Sequence, residues 1–378
     1  MVDAFREVQK YEPAWFITVD PVLRFFGGNR PLMVDLLAES GTNDQVITIK
    51  ARAEFELGTI EYRAMVYVEL IRKNVPPGAT LISSDDEACW IACAVLASEY
   101  KNVSVLHADD DAYFRLLNKY AAYIAGYTSV SKRVQQKAVR SGRAIPNVVI
   151  PCGIKMQDYK SAPVKNNEIL WIGRVEEQQK RVSDIVNIAL ALRNKGVAFS
   201  IKVCGTGSEY EWLAGKLELQ GLREVKLLGW KNKDEIAGLM ANASVLLQTS
   251  NFEGMSVAVM EALASGCLVV STRVSGVEDL ETDAEAQNVV LLYDVGDVAT
   301  GAQLVSKCLN LTDPVLPLQA RAIAAKYYSI EGCMQAYRLF YDQLQPGTKA
   351  LPLPDKIKET VKSMVLGNVR YLRWRIKH

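Results

Sequence analysis

The chain is poor in histidine, with only His107 and His378, and it has no bias of charge, since 44 Lys and Arg stand against 43 Asp and Glu. A formal net charge of +1 gives no overall electrostatic case for a nucleic-acid partner. Long apolar runs are also missing: no stretch reaches the roughly 18 residues needed to cross a bilayer. The N-terminal "MVDAFREVQKYEPAW" lacks the apolar centre of a signal peptide. The expected location is therefore cytoplasmic, with association at a membrane surface left open. Disulfide architecture is not expected either. Cys89, Cys93, Cys152, Cys204, Cys267, Cys308 and Cys333 are odd in number, scattered and mostly set in apolar segments, as reduced core thiols are. Cys89 and Cys93 lie four residues apart, but no further ligands stand nearby to complete a zinc site.

What is present is an ordinary globular composition, 49% hydrophobic and 23% charged. At 378 residues the chain is too long for one core, and two domains are the default. Short apolar runs alternate with amphipathic stretches almost throughout, the pattern of parallel sheets covered by helices. The strand candidates of the first half are residues 14–19, 45–50, 79–84, 102–107, 123–130 and 147–152, enough for one Rossmann-like sheet. Helical stretches lie between them at 30–40, 61–74 and 87–100. A polar segment, "KMQDYKSAPVKNNE", reads as an interdomain linker. A second alternation follows, with strands at 169–173, 199–205, 225–229, 244–249, 267–272 and 288–293. Two such sheets in tandem can face a common cleft, with ligands at the carboxyl ends of their strands.

The stretch "TSNFEGMSVAVMEALASG" carries the most chemistry. A strand ends, a turn holds Glu253, and a helix follows that Gly266 can stop. The free amides of Gly254, Met255, Ser256 and Val257 at that helix start form an anion site suited to phosphate. Glu261 sits among apolar and small residues, so its carboxylate needs donors. Sugar hydroxyls are one source; an ion pair with an arginine is the other. "GRVEEQQKR" places Gly173 at a strand end and Arg174, Lys180 and Arg181 on the loop beyond, where cations suit a diphosphate or simply solvate a helix start. Gly205 and Gly207 follow the next strand, and Trp230 the one after, either near a base or packed. Asp109, Asp110 and Asp111 are consecutive, so their side chains diverge. They read as acids at a helix N-terminus rather than as metal ligands, and no metal is expected.

In this order, these motifs with "VSGVEDL" resemble the retaining GT-B glycosyltransferases of family 4, from about Trp15 to Leu344. The resemblance implies two Rossmann-like domains facing a central cleft: an acceptor-binding domain at 1–155, a nucleotide-sugar-binding domain at 156–345, and a tail at 346–378. It implies that Arg174 and Lys180 contact the diphosphate, with Gly173, Gly205, Gly207 and Trp230 lining the same pocket. The amides after Glu253 receive the sugar-proximal phosphate, Glu253 holds sugar hydroxyls and Glu261 the ribose. Arg181 stands where the family has glycine, so Lys180 or Arg181 makes the phosphate contact, Lys180 ranked first. Gly27 and Gly28 match a glycine-rich loop near the transferred sugar, and His107 an active-site histidine.

The implied reaction moves a sugar from a nucleotide-diphosphate-sugar, UDP- or GDP-linked, to a hydroxyl of a glycan or lipid-linked acceptor, with retention. The family's leaving phosphate is thought to take the acceptor proton on the same face, so no protein base is named. Two other readings are weighed: a scaffold that binds nucleotide-sugar or glycan without turnover, and a nucleotide-sugar epimerase, for which no convincing carboxylate and histidine set is present. Residues 355–378 hold seven Lys or Arg against two acids, among apolar residues at helical spacing. Such a tail suits either an anionic membrane surface or packing against the N-terminal domain.

Overall fold

A computed structural model describes residues 16–20, 46–50, 59–83, 86–140, 144–162, 164–347 and 349–352. Gly27, Gly28, the helix expected at 30–40 and the basic tail at 355–378 lie outside them.

All six strands expected in the first half form, but hydrogen bonds among the described residues divide them. Strands β1 (Phe16–Asp20) and β2 (Val46–Lys50) pair in parallel with each other. The parallel sheet β3-β4-β5-β6 comprises Thr80–Ser83, Lys101–Leu106, Gly126–Ser129 and Asn147–Val149. Helices α1 (Ile60–Asn74), α2 (Glu87–Val95), α3 (Asp111–Tyr120) and α4 (Lys132–Arg140) connect the strands. Helix α1 starts where the Thr59 hydroxyl oxygen accepts the Tyr62 amide, and α2 where the Asp86 carboxylate accepts that of Ala88. Helix α2 stops five residues short of the expected end, because Leu96–Tyr100 turn so that the buried Tyr100 hydroxyl reaches the Val75 carbonyl. Trp90, Leu96, Leu106, Leu117 and Tyr127 are the large side chains of this core.

The second half forms one six-stranded parallel sheet in the order β12-β11-β10-β7-β8-β9. Its strands are β7 (Asn166–Ile172), β8 (Ser200–Cys204), β9 (Val225–Gly229), β10 (Ala243–Gln248), β11 (Leu268–Thr272) and β12 (Val290–Tyr293), each within a few residues of its expected span. Because β7 neighbours both β8 and β10, the winding reverses between β7 and β10. A crevice therefore opens there at the carboxyl ends, the usual ligand position of such sheets. Among the described residues, the helices that alternate with these strands or follow them are α5 (Glu177–Lys180), α6 (Val182–Asn194), α7 (Tyr210–Leu219), α8 (Lys233–Asn242), α9 (Val257–Ala264), α10 (Val298–Leu309), α11 (Val315–Tyr328) and α12 (Ile330–Asp342). The central strands are buried on both faces, so Ile169 to Trp171, Val245 to Leu247 and Leu268 to Val270 read as continuous apolar runs, whereas β8 alternates about Lys202.

After α11 the chain crosses back. Ile154 and the Tyr328–Ile330 backbone exchange two hydrogen bonds, of 2.8 and 2.9 Å. Helix α12 then packs Ile330, Cys333 and Met334 on Ile150, and Phe340, with Leu344 just beyond the helix, on Val103. Its side chains thus join the first sheet, not the second, because Gly126 leaves room for the ring: a Cβ there would lie 2.9 Å from Phe340 Cζ. Leu351 continues onto the first core, its amide donating to the Ala94 carbonyl at 2.9 Å. Among the described residues no helix is long and apolar enough to cross a membrane.

Candidate functional site

The crevice between β7 and β10 is built by two loops laced together. The Trp171 indole N–H donates to Thr249 Oγ1 at 3.0 Å, and the Thr249 hydroxyl donates to the Lys180 carbonyl at 2.6 Å. The Asn251 amide donates to the Gln179 carbonyl at 2.7 Å, and Asn251 Nδ2 to that of Gln178 at 2.7 Å. Gln179 Nε2 returns a bond to the Phe252 carbonyl. This lacing fixes the backbones of Lys180 and Glu253 relative to each other, although 73 residues separate them. Their side chains meet: Lys180 Nζ lies 2.5 Å from Glu253 Oε1, which also accepts the Ser250 hydroxyl at 2.7 Å. Glu253 is buried, and both donors use the same carboxylate oxygen. Arg174 remains largely exposed at the mouth, donating to Gln179 Oε1 and lying 3.4 Å from a Glu176 oxygen.

Arg181 faces elsewhere. It adopts a left-handed backbone with φ 47°, a conformation glycine takes without strain, so the residue type is costly there while the turn is kept. Its guanidinium turns away from Glu253 onto the buried Asp184, at 2.7 and 3.2 Å, and onto Asn251.

Two glycines let these loops approach. A Cβ on Gly205, at φ 144°, would sit 1.8 Å from the Gly173 carbonyl oxygen, and one on Gly207 would sit 2.3 Å from that of Val175. Gly173, Gly205 and Gly207 therefore form one tight layer beneath the Lys180 stem. Trp230 lies exposed just beyond β9.

Helix α9 begins at Val257, two residues later than the Met255 start that the turn at Glu253 and Gly254 suggests, and ends as expected with Gly266 at φ 76°. Among the described residues no acceptor engages the amides of Met255 through Val259, and the Ser256 side chain makes no cap bond. These amides, with the positive end of the helix dipole, favour an anion. One turn further on, Glu261 is half-buried and meets no arginine among the described residues. Instead Tyr159 donates its hydroxyl to Glu261 Oε1 at 2.6 Å. Burial pushes the Glu261 carboxyl above its ordinary range, while the Tyr159 bond and the nearby Lys233 charge oppose that rise. Tyr159 comes from the polar stretch that reads as a linker, yet it is buried, and its carbonyl accepts from Arg321 at 2.9 Å.

The first domain also reaches the site. His107 follows β4 directly as an exposed residue, and a Cβ on Gly254 would fall 2.1 Å from its carbonyl oxygen. The α9 anion turn and the His107 backbone are thus in direct contact. The three neighbouring aspartates have separate tasks: Asp109 pairs with Lys137 at 2.6 Å, Asp110 accepts the Ala112 amide as the α3 cap, and Asp111 opens that helix. Among the described residues no three His, Cys, Asp or Glu side chains converge as metal ligands.

The structure therefore brings Lys180, Glu253 and the α9 amides to one crevice, with Arg174 at its mouth and His107 opposite. Ser250, Thr249 and Tyr159 were not singled out from the sequence. Ser250 and Thr249 stood inside the quoted motif, and Tyr159 was the lone aromatic in a polar segment, a signal that it would be buried.

The family model of the glycosyl transferases group 1 matches residues 166–311. WcaL of Escherichia coli (strain K12), provisionally named a colanic acid biosynthesis glycosyltransferase, is 31% identical over 182 residues, covering 45% of this chain and 44% of that protein. The amylovoran biosynthesis glycosyltransferase AmsK of Erwinia amylovora is 29% identical over 157 residues, covering 37% and 38%. The chain thus spans less than half the length of these curated relatives. Anabaena Alr3699/HepE, solved in complex with UDP and glucose, superposes with a TM-score of 0.70 at 17% identity, covering 91% of this chain and 95% of that one. At that identity the likeness concerns the fold, which is GT-B, two parallel-sheet Rossmann-like domains.

Proposed function

We propose, on the premise that the C-terminal domain of this chain belongs to the glycosyl transferases group 1, that the protein moves a sugar from a nucleotide-diphosphate-sugar to a hydroxyl of a glycan or lipid-linked acceptor, retaining the anomeric configuration. The observation that carries this reading is the junction of Lys180, Glu253 and the unengaged α9 amides at the β7/β10 switch point. Positive charge and free N–H groups there suit a diphosphate. Glu253 is the acceptor for sugar hydroxyls beside it, and Glu261, one helix turn deeper, for the ribose pair.

The chemistry follows from charge. As the glycosidic bond breaks, positive charge grows on the anomeric carbon and negative charge on the diphosphate. Lys180, Arg174 and the Met255 to Val257 amides stabilise the latter, and preorganised donors of this kind each contribute about 10²–10³ in kcat. The departing phosphate oxygen takes the acceptor proton on the same face. His107 lies against the turn from the acceptor side, within the domain that contains β3 to β6. The glucose and UDP bound by HepE support a donor of this class, and the WcaL and AmsK names support a role in polysaccharide biosynthesis. The basic tail beyond Pro352 would hold the enzyme to an anionic lipid surface.

The test is incubation with a panel of UDP- and GDP-sugars, following nucleoside diphosphate release and the anomeric proton of the product. Retained configuration and loss of turnover in folded Glu261→Ala and Arg174→Ala are expected. Near-normal turnover in either variant, or an inverted product, defeats the reading. For the tail, flotation with phosphatidylserine vesicles should carry the full chain and not a chain ending at Pro352; equal partition of the two removes that part.

A further inference from the structure

A chain of hydroxyls runs across the domain junction to the anion turn. Ser131, just before α4 in the first domain, accepts the Val134 amide at 3.3 Å. Its Oγ lies 2.6 Å from Ser275 Oγ, which follows β11 in the second domain, and Ser275 donates to the Gly254 carbonyl at 3.2 Å. Both serines are buried, at 0% and 1% exposure, so water does not compete for these bonds. Each hydroxyl has one proton. Since Ser275 spends its proton on Gly254, Ser131 must be the donor between the two serines, and the direction of the relay is fixed from α4 to the turn.

The last acceptor is the important one. The Gly254–Met255 peptide is trans and planar, so holding the Gly254 carbonyl toward Ser275 aims the Met255 N–H in the opposite sense. Glycine at 254 leaves this peptide free to rotate unless something outside it intervenes. Two contacts from the first domain intervene: the Ser131 relay on the carbonyl, and the His107 backbone against the Gly254 α-carbon. Gly276, at φ 84°, presses the same turn, since a Cβ there would lie 3.0 Å from the Gly254 carbonyl oxygen. Polar contacts flank the relay and hold the surfaces together. Asp279 Oδ2 accepts the Lys132 amide at 2.8 Å, and Glu278 pairs with Arg133 through two bonds.

We infer that Ser131 and Ser275 are positioning residues of the donor site, a cross-domain relay that orients the Gly254–Met255 peptide toward the donor phosphate only while the two domains are docked. This deepens the proposed function and rests on it. Neither serine touches the donor; each acts through the peptide. The consequence is that the nucleotide-binding domain does not present a complete phosphate site on its own, and that a buried hydroxyl in the opposite domain sets nucleotide affinity.

The experiment titrates UDP, GDP and ADP calorimetrically into the full chain, then repeats the tightest of them on Ser131→Ala, Ser275→Ala and the double variant, with a thermal melt of each. Loss of one orienting bond should weaken binding about fivefold to tenfold in each single variant. The double variant should be no weaker than Ser275→Ala alone, because links in series are lost together. Ser131→Thr, which keeps the hydroxyl, should restore affinity toward the parent. Binding with the parent's affinity by folded Ser131→Ala overturns the relay and leaves the donor reading standing. Additive losses in the double variant also overturn it. No binding of any nucleotide by the parent overturns the donor reading, and this inference with it.

Discussion

Lys180→Ala tests the centre of the site, because it separates what the Lys180–Glu253 pair does for stability from what it does for the donor. The two side chains are 16% and 9% exposed, and their charged atoms are 2.5 Å apart. Breaking a buried pair by removing one partner costs about 3–5 kcal/mol, because the other charge stays buried and uncompensated. Here Glu253 keeps the Ser250 hydroxyl, which recovers about 1 kcal/mol. Some water also reaches the lysine, so a loss of about 2–3 kcal/mol is expected. In a domain of this size that lowers the melting temperature by about 4–12 °C. Adding Glu253→Gln removes the orphaned charge, and the side-chain carbonyl it introduces can still accept from Ser250. The double variant should therefore recover most of the lost stability, leaving a coupling energy of about 1–2 kcal/mol between the two positions. Turnover should not recover, since the donor has lost a cation and a carboxylate. Thermal melts of the four proteins, followed by fluorescence and paired with nucleoside diphosphate release, read both quantities. If Lys180→Ala melts with the parent, or if the double variant is as unstable as the sum of the singles, the pair is not the buried element argued here.

Three further outcomes are expected. Burial raises the Glu261 carboxyl, so the ionised form that accepts ribose hydroxyls should be lost as pH falls through a value above the ordinary glutamate range. Tyr159→Phe removes a bond that favours that form, so the acidic limb of 1/KM for the donor should move to still higher pH; a shift to lower pH counts against the assignment. By the same linkage the folded state binds the extra proton, and Glu261 takes stability away as pH rises past its unfolded value. Glu261→Gln should then melt no lower than the parent at pH 7 while binding donor worse, and a lower melt would contradict the sign. Lys165 donates to the carbonyls of Met240, Ala241 and Ser265 at 3.1, 2.9 and 2.5 Å, closing the C-terminal ends of α8 and α9. Lys165→Met should cost about 1–2 kcal/mol in urea unfolding by orphaning the Ser265 carbonyl, since the Met240 carbonyl keeps the Cys267 thiol and that of Ala241 keeps the Ala162 amide; a neutral result would mean water replaces the ammonium. Gly254→Ala places a methyl against His107, and should reduce kcat/KM at least 100-fold with little change in circular dichroism, as about 3 kcal/mol of misplacement would.

The order of elements follows from local chemistry alone. Short apolar runs at 169–173 and 244–249 bounded by turn signals read as strands buried on both faces, and Gly266 after a helical stretch as its stop, so the strands of the second sheet were legible to within a few residues. The candidate site was legible where chemistry and local structure coincide: Lys180 soon after β7, at the end of the short helix α5 where a loop was expected, and Glu253 before a helix start. Contacts that join distant segments were settled in three dimensions. Tyr159 meets Glu261 across 102 residues, Ser131 meets Ser275 across 144, and α12 leaves the domain that precedes it to pack on Val103. Periodicity reports which face of an element is buried, not which element buries it, and a hydroxyl's partner leaves no mark on its neighbours in sequence. Arg181 shows the same limit: nothing in its charge told of the left-handed backbone or of its pairing with Asp184.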